Sequence, residues 1–312
     1  MARPENFWPE GKTFAFTIFD DPDWCTPETR QLIYPFLDDL GFRTTRAVWP
    51  MGPLRTPLHG GETCSNPEYL ADAQRFQEKG FEIAYHNAAP HSCTREEIAQ
   101  SLEMFRSYFS RYPSSMANHT GNADGMYWGS SRLTGIRRPI YDALNLGRTR
   151  NRFIGHVEGS PYFWGDICRE RIRYCRNFVF YYELNTLRAC PCMPYSDPLR
   201  PYVNEWFSAA DGTDCGSFVR AIHEERQDRL EAEGGLCILY THFGKYFVKD
   251  GKLDGEFVRL MKRLAGKNAW FAPVSTILDF LREKTGARVI TSKQRGALEW
   301  KWLGEKVFRG RS

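Results

Sequence analysis

Three carboxylates stand together directly after an apolar segment near the start of this sequence. The segment TFAFTIFDDPD, residues 13–23, runs from apolar side chains into Asp20, Asp21 and Asp23. Charged groups leave a protein core only at its edge, and adjacent carboxylates repel each other there. We therefore expect these acids to be held by a partner or used in a reaction.

Histidines stand at the ends of two further apolar segments. One segment ends in His86, with His91 following five residues later, and a late segment ends in His242. In parallel α/β folds the carboxyl ends of the strands share one edge, so these imidazoles are expected near Asp21. Two imidazoles and one carboxylate can hold a divalent metal, and Asp20 beside them can act as a base.

Apolar runs alternate with helical patterns over the first 115 residues. Strands are predicted at residues 14–19, 42–49 and 81–85, each followed by a helix, at residues 27–40, 67–79 and 94–112. Regular patterns return with helices near 216–233, 254–265 and 275–284, and with strands at 237–241 and around Trp270. This alternation predicts an α/β fold with a parallel sheet or barrel and helices outside it.

The middle and the end of the chain give weaker patterns. Residues 121–215 are rich in aromatic residues, glycine and proline and are expected to form long loops or an insertion. No repeat or low-complexity linker divides the chain. We therefore predict one domain over residues 1–286 and a C-terminal tail over residues 287–312.

Charge and hydropathy narrow the function classes. The 312 residues carry a net charge of only +4, and no block of Lys and Arg follows the pattern of a nucleic-acid site. No signal-peptide core and no apolar run of membrane-spanning length is present. The nine cysteines form no CxxC pair and are expected to be free thiols. A cytoplasmic protein without nucleic-acid or membrane partners is expected.

Three motifs in one order resemble those of the NodB-homology polysaccharide deacetylases. Residues 18–22, IFDDP, are similar to the first family motif, TFDDG, and residues 80–86, GFEIAYH, are similar to the strand that leads into its histidine motif. Residues 239–242, LYTH, resemble the last motif, an apolar strand ending in L-x-x-H. The resemblance covers most of residues 13–284 and implies a deformed (β/α) barrel.

This resemblance also implies a reaction and roles for individual residues. The family removes acetyl groups from N-acetylated carbohydrates by metal-dependent hydrolysis. Its pattern assigns Asp20 as the general base, His242 as the acid that protonates the departing amine, and Asp21, His86 and His91 as ligands of a divalent metal, zinc or another ion. The substrate implied is an N-acetylated carbohydrate.

The sequence departs from the family pattern at two places. The two histidines are five residues apart instead of four, and the Arg-x-Pro motif that positions the base is missing, since residues 116–122 read MANHTGN. His119 and Asn122 are the candidates to replace that arginine and to contact substrate. Trp128 is a candidate for stacking on a sugar ring, with ordinary packing as its alternative.

Two other functions are compatible with the same residues. A barrel that binds sugar without turnover is favoured by the missing arginine. A hydrolase of a small non-sugar amide would use the same site behind longer loops. The sequence leaves the metal, the glycan and the oligomeric state open.

Overall fold

The structure, a computed structural model, describes residues 7–309, and its first seven strands are arranged in sequence order. The strands are β1 (Phe14–Asp20), β2 (Thr45–Val48), β3 (Glu82–Tyr85), β4 (Ser115–Met116), β5 (Tyr174–Phe180), β6 (Glu205–Asp211), β7 (Leu236–Thr241), β8 (Val248–Lys249), β9 (Lys252–Leu253) and β10 (Ala269–Phe271). Strands β1 to β7 are parallel neighbours in that order, and β7 pairs back with β1, which closes a barrel. The predicted deformed (β/α) barrel is thereby confirmed.

Helices surround this barrel and connect its strands. They are α1 (Pro27–Asp39), α2 (Pro67–Glu78), α3 (Arg95–Phe109), α4 (Arg137–Leu144), α5 (Gly165–Arg171), α6 (Thr186–Ala189), α7 (Cys215–Ala221), α8 (Glu224–Ala232), α9 (Gly255–Ala265), α10 (Val274–Thr285) and α11 (Ser292–Arg309). The first three begin at side-chain caps, as at Thr26, whose hydroxyl accepts a hydrogen bond from the Thr29 amide. No helix in the described part of the chain combines the length and apolar character needed to cross a bilayer.

The side chains of β1 alternate between two hydrophobic cores. Phe16 and Ile18 pack with α1 and the other outer helices, whereas Ala15 and Phe19 belong to the core that includes the barrel interior. Successive side chains of a strand point to opposite faces. The next two residues, Asp20 and Asp21, therefore point in opposite directions, and this difference decides their roles below.

The middle of the chain, residues 121–215, contains two barrel strands that the sequence analysis did not identify, β5 and β6. Polar Arg176 and Asn177 interrupt the apolar pattern of β5, although both are buried. A short 3-10 turn, Gly129–Arg132, and α4 lie between β4 and β5. The insertion therefore supplies part of the barrel as well as loops.

The segment that the sequence analysis set apart as a tail, residues 287–312, packs on the rest of the molecule. Within it α11 contributes Leu298, Trp302 and Leu303 to the main hydrophobic core. The Glu299 carboxylate is fully buried and accepts a hydrogen bond from Arg137 Nε at 2.7 Å. Residue 286 is consequently not a break in the packing, and residues 310–312 lie outside the described residues.

Candidate active site

The carboxyl ends of the barrel strands bring acidic, basic and imidazole groups together. Asp21 and Asp23 follow β1, His86 follows β3, His119 lies three residues after β4, and His242 follows β7. The Asp21 amide extends the pairing of β1 with β7 by donating to the Thr241 carbonyl at 2.9 Å. The shared edge predicted from the sequence is therefore present.

The carboxylate of Asp23 lies at the centre of three imidazoles. Its Oδ1 is 3.0 Å from His119 Nε2, and its Oδ2 is 3.2 Å from His86 Nε2 and 3.8 Å from His242 Nε2. All four side chains are buried. Sequence reasoning named Asp23 in the acidic motif but gave it no role, and the structure places it in the middle of the cluster.

The loops after β3 and β4 hold two of these imidazoles through Asn87. Asn87 Oδ1 accepts from the His119 amide at 2.8 Å, and Asn87 Nδ2 donates to Asp124 Oδ2 at 2.6 Å. Asn87 has a positive φ of 61°, which asparagine adopts more readily than most residues. This bridge fixes the distance between the loop that carries His86 and the loop that carries His119.

The protonation of His119 follows from its neighbour Asn122. Asn122 Nδ2 donates to the Ala89 carbonyl at 3.0 Å, so its Oδ1 is the acceptor that faces His119 Nδ1 at 2.9 Å. Nδ1 of His119 therefore carries a proton, and neutral His119 presents an unprotonated Nε2 to Asp23. Either a second proton or a cation is needed between this nitrogen and the carboxylate.

The charges of the cluster shift its proton equilibria. Burial alone would raise the pKa of Asp23, but the hydrogen bond with His119 and the charges of the nearby His86 and His119 imidazoles hold that pKa well below its usual value. Burial opposes the charged form of His119, yet Asp23 and Asn122 raise its pKa. Burial lowers the pKa of His242, whose Nδ1 donates to the Thr213 carbonyl at 2.9 Å.

Asp21 is held by an arginine that the sequence analysis did not identify. Arg176 Nη1 lies 3.0 Å from Asp21 Oδ1 and Arg176 Nη2 lies 2.6 Å from Asp21 Oδ2, a bidentate pair with both side chains buried. The guanidinium is flanked by the rings of Phe19 and Tyr240 at 5.0 and 4.2 Å. A carboxylate of the acidic motif is therefore held in place by an arginine, and this arginine lies on β5.

Asp20, expected to be the base, points away from this cluster. Its Oδ2 accepts from the Tyr34 hydroxyl at 2.5 Å, and its Oδ1 accepts from the Phe243 amide at 2.8 Å. It continues the β1 face that packs with α1 and does not line the cavity described below. Burial raises the pKa of Asp20 to about 7 despite the hydrogen bond from Tyr34.

His91, expected to be a metal ligand, does not join the cluster. Its Nε2 accepts from the Leu54 amide at 2.9 Å, and its Nδ1 donates to the Ser92 carbonyl at 3.0 Å. One ring nitrogen thus binds the loop that contains Leu54, and the other binds the backbone of the neighbouring residue Ser92. The structure does not assemble the expected set of Asp21, His86 and His91, because the extra residue and Pro90 turn His91 into that loop.

The candidate substrate-binding residues have different surroundings. His119 and Asn122 form the hydrogen-bonded pair described above, and Asn122 is fully buried and does not line the cavity. Trp128 lines the cavity, and the Arg132 guanidinium carbon lies 3.6 Å from its ring centroid. One face of Trp128 is therefore covered by arginine.

A cavity of about 560 Å³ opens above the cluster. The barrel contributes Asp21, Asp23, His86, His119 and His242 to its lining. Its other walls come from the segment between β4 and β5 and from α11, which contributes Trp302 and Lys306. The volume is typical of a site for one small ligand.

The donor set fits a divalent cation. Asp23 Oδ2 and His86 Nδ1 are buried and have no hydrogen-bond partner among the described residues. Ligand atoms of Asp21, Asp23 and His242 also lie within 4.8 Å of one another. Imidazole and carboxylate groups are common ligands of divalent transition metals. A bound cation would satisfy these groups and remove the conflict between His119 Nε2 and Asp23.

One signal in the sequence could have identified part of the missed site. The period of two in β1 predicts that Asp20 and Asp21 face opposite sides, and it places Asp21 with Phe19. Asp23 stands two residues further along, on the same turn. Arg176 gave no local signal, because a single arginine in an aromatic segment also fits an exposed loop.

Comparisons with known proteins bear on the fold. Neither a protein-family model nor a curated protein sequence matches this chain. A candidate polysaccharide deacetylase from Mycobacterium smegmatis superposes with a TM-score of 0.53 at 12% identity, over 93% of this chain and 98% of that chain. A candidate polysaccharide deacetylase from Pseudomonas aeruginosa PAO1 gives a TM-score of 0.49 at 11% identity, over 91% and 95% of the two chains. The superposition on the Mycobacterium smegmatis structure confirms the fold that the resemblance implied, a deformed (β/α) barrel.

Proposed function

We propose that this protein is a metal-dependent hydrolase that removes an acyl group, such as acetyl, from a small N-acylated carbohydrate. The observation that carries the proposal is the convergence of three imidazole Nε2 atoms on the Asp23 carboxylate at the carboxyl end of the barrel. The Asp21–Arg176 pair stands beside this cluster at the same cavity. Such a site combines a cation site with a fixed carboxylate.

The metal ligands in this proposal are Asp23, His86 and His119. Both oxygens of Asp21 are held by Arg176, which leaves Asp23 as the carboxylate nearest to the imidazoles. Asn122 Oδ1 accepts from His119 Nδ1 and so fixes the orientation of the ring, as hydrogen-bond partners commonly do for histidines that bind a metal. A divalent ion held there would polarise the scissile carbonyl and activate water for attack. Asp21 and His91 of the sequence-based set are replaced by Asp23 and His119.

The remaining residues handle protons. Asp21, oriented by Arg176, takes a proton from the attacking water. His242 returns a proton to the departing amine, so that amine and carboxylic acid are released from amide and water. Its Nδ1–H is fixed on the Thr213 carbonyl, and Nε2 is the nitrogen that exchanges the proton. Burial lowers the pKa of His242, which makes its protonated form a stronger acid.

The cavity also supports a second candidate, hydrolysis of a small non-sugar amide. Residues between β4 and β5 and on α11 wall the site, which suits one small ligand better than the interior of a long polymer. Trp128 has one face covered by Arg132, so it offers at most one face for stacking on a sugar ring. Comparing small N-acetyl sugars with small amides of other classes distinguishes the two candidates.

Metal content of purified variants tests the proposal directly. After incubation with zinc, cobalt or manganese, the wild type is expected to hold about one ion per chain, and His86→Ala and His119→Ala are expected to lose it. His91→Ala is the matched control and should retain the metal, because its imidazole binds the backbone of Leu54 and Ser92 and lies outside the cluster. Metal retained by His119→Ala and lost by His91→Ala would restore the sequence-based ligand set.

Acetate release is measured on the same preparations. The wild type is expected to release acetate from small N-acetyl sugars only when the metal is bound. A protein that binds such sugars, holds metal and releases no acetate from any of them would be a binding barrel instead of a hydrolase.

A further inference from the structure

One buried arginine of the cavity wall has no acidic partner. Arg132 ends the turn Gly129–Arg132, and its side chain is 5% exposed. Its guanidinium carbon lies 3.6 Å from the centroid of Trp128 and 4.8 Å from that of Trp302. Its Nε has no hydrogen-bond partner, and among the described residues no carboxylate oxygen lies within 4.0 Å of its nitrogens. The charge is stabilised by aromatic rings alone.

Two neighbouring buried arginines show the usual arrangement. Arg176 is paired with Asp21 at 2.6 Å, and Arg200 lies 3.2 Å from Glu299. Burial lowers the pKa of Arg132 to about 10, and the charges of Arg176 and Arg200 add to this effect. A buried charge without a counter-ion is costly, so buried charges are normally paired. The pairing partner of Arg132 is expected to come from outside the chain.

The same cavity carries further positive charge. Arg148, Arg152, Lys245 and Lys306 line it together with Arg132. Lys245 Nζ lies 3.7 Å from the ring centroid of Trp24, which also lines the cavity. The acidic residues of the lining are Asp21, Asp23 and Asp211. Arg176 pairs with Asp21 and imidazoles surround Asp23, so the positive charges near Arg132 exceed what the lining acids balance.

We propose that this wall is an anion-binding subsite, with Arg132 at its centre, that holds a carboxylate, phosphate or sulfate group on the substrate. The inference rests on the proposed function, since it names the substrate class of that site as an anionic N-acylated sugar. The planar guanidinium can present two parallel N–H donors to an oxyanion. The exposed Arg148 and Arg152 at the cavity mouth attract the same group before it binds.

Binding measurements separate this subsite from the catalytic proposal. Titration calorimetry compares N-acetylglucosamine with its 6-phosphate, its 6-sulfate and a disaccharide that joins it to glucuronate. At least one anionic sugar is expected to bind the wild type at least about tenfold more tightly than the neutral sugar, which follows from the strength of charge-assisted hydrogen bonds. The relative affinities identify which anion the subsite prefers.

Charge-removing variants locate the subsite. Arg132→Gln is expected to lose this preference, so that the anionic and neutral sugars bind the variant with affinities within about threefold of each other. If Arg132→Gln does not fold, the double variant Arg148→Gln/Arg152→Gln decides, and it is expected to weaken anionic binding and its salt dependence. Arg150→Gln is the matched control, because Arg150 is exposed in the same segment and does not line this cavity.

The outcomes separate the two proposals. Selective binding of an anionic sugar without acetate release supports the subsite and contradicts the hydrolase. Equal affinity for neutral and anionic sugars overturns the subsite, even if acetate is released. A loss of anionic preference in Arg150→Gln as large as that in the double variant would also overturn it, since the effect would then be one of overall charge.

Discussion

The adjacent carboxylates of the acidic motif have different hydrogen-bond partners, and these partners set their tasks. Asp20 is bound by the Tyr34 hydroxyl and the Phe243 amide, which ties β1 to α1 and to the loop after β7. Asp21 is bound by Arg176 and lines the cavity. One residue therefore secures the fold at the strand end, and the other is available to a substrate.

The pair Asp20→Asn and Asp21→Asn tests this division. Asp21→Asn is expected to lower acetate release by about 10²- to 10⁴-fold, as removal of a general base does, with metal retained. Asp20→Asn is expected to leave turnover within about threefold, because asparagine can still accept from the Phe243 amide and donate to the Tyr34 oxygen. Steady-state kinetics and elemental analysis of both variants give the comparison. A large rate loss in Asp20→Asn alone would return the base to Asp20.

The arginine itself gives a second prediction for the same carboxylate. Arg176→Lys keeps the charge but replaces the two-pronged contact with a single ammonium, so Asp21 loses its fixed orientation. We expect kcat to fall at least about tenfold while the metal content stays near that of the wild type. A variant that loses metal together with rate would indicate that Arg176 holds the ligand set in place and does not act through Asp21.

Residue types were easier to predict from sequence than partners. Asp21, His86 and His242 were found because each follows an apolar strand, and all three line the cavity. His119 was placed near the site, but its contact with Asp23 depends on two loops that are 96 residues apart along the chain. His91 lies apart from the cluster, since a histidine five residues after another on a loop has no fixed direction.

The C-terminal helix α11 is part of the cavity wall. Trp302 is 1% exposed and lies between the rings of Tyr141 and Phe178, at centroid distances of 5.2 and 5.3 Å. Helix α11 also contributes Lys306 to the lining of the cavity. The helix consequently joins α4 to the barrel and closes one side of the site.

Replacing Trp302 by alanine tests the contribution of this helix to stability. Loss of a buried tryptophan typically reduces the free energy of unfolding by about 3–5 kcal/mol, because the space it leaves is filled only in part. Trp300→Ala is the matched control, since Trp300 is 45% exposed, and its cost should stay below about 1 kcal/mol. Urea unfolding followed by circular dichroism measures both. Equal losses in the two variants would mean that α11 contributes little to the core.

Elements with strong local patterns were predicted well, and elements defined by distant partners were not. The helices α1 to α3 follow caps and apolar spacing that lie within their own residues. Strand β5 was missed because Arg176 and Asn177 are buried only through partners elsewhere, Asp21 and Tyr195. The role of α11 likewise depends on α4, which is far away in sequence.

At the scale of the whole molecule, closure of the barrel is the feature that assembles the site. The pairing of β7 with β1 places Thr241 beside Asp20, and the next residues on the two strands are His242 and Asp21. The predicted strands place His242 beside Asp21 only if the sheet closes into a barrel. Buried ionisable groups distributed over the barrel then make the stability of the molecule depend on pH.

Two buried carboxyl groups and the half-buried His156, all outside the ligand set, act on that stability in opposite directions. Burial raises the pKa of Asp20 to about 7 and that of Asp124 to about 6. Each carboxyl group therefore stays protonated to a higher pH in the folded state than in the unfolded state. The stability that this proton contributes is lost as the pH rises through those values. Burial lowers the pKa of His156 from 6.5 to about 4. As the pH decreases, His156 is protonated in the unfolded chain before it is protonated in the folded protein. The free energy of unfolding therefore falls between about pH 6.5 and about pH 4.

The variant His156→Asn isolates one of these contributions. His156 Nδ1 accepts from the Tyr127 amide at 3.2 Å, and an asparagine oxygen can accept the same hydrogen bond without titrating. Above pH 6.5 the difference in unfolding free energy between wild type and variant should be constant. Between pH 6.5 and 4 it should shift in favour of the variant by on the order of 1–3 kcal/mol, since each unit of pKa difference corresponds to about 1.4 kcal/mol. Urea unfolding at several pH values, with a chelator present to exclude metal effects, measures this shift; a constant difference over the whole range would show that His156 is not held in its neutral form.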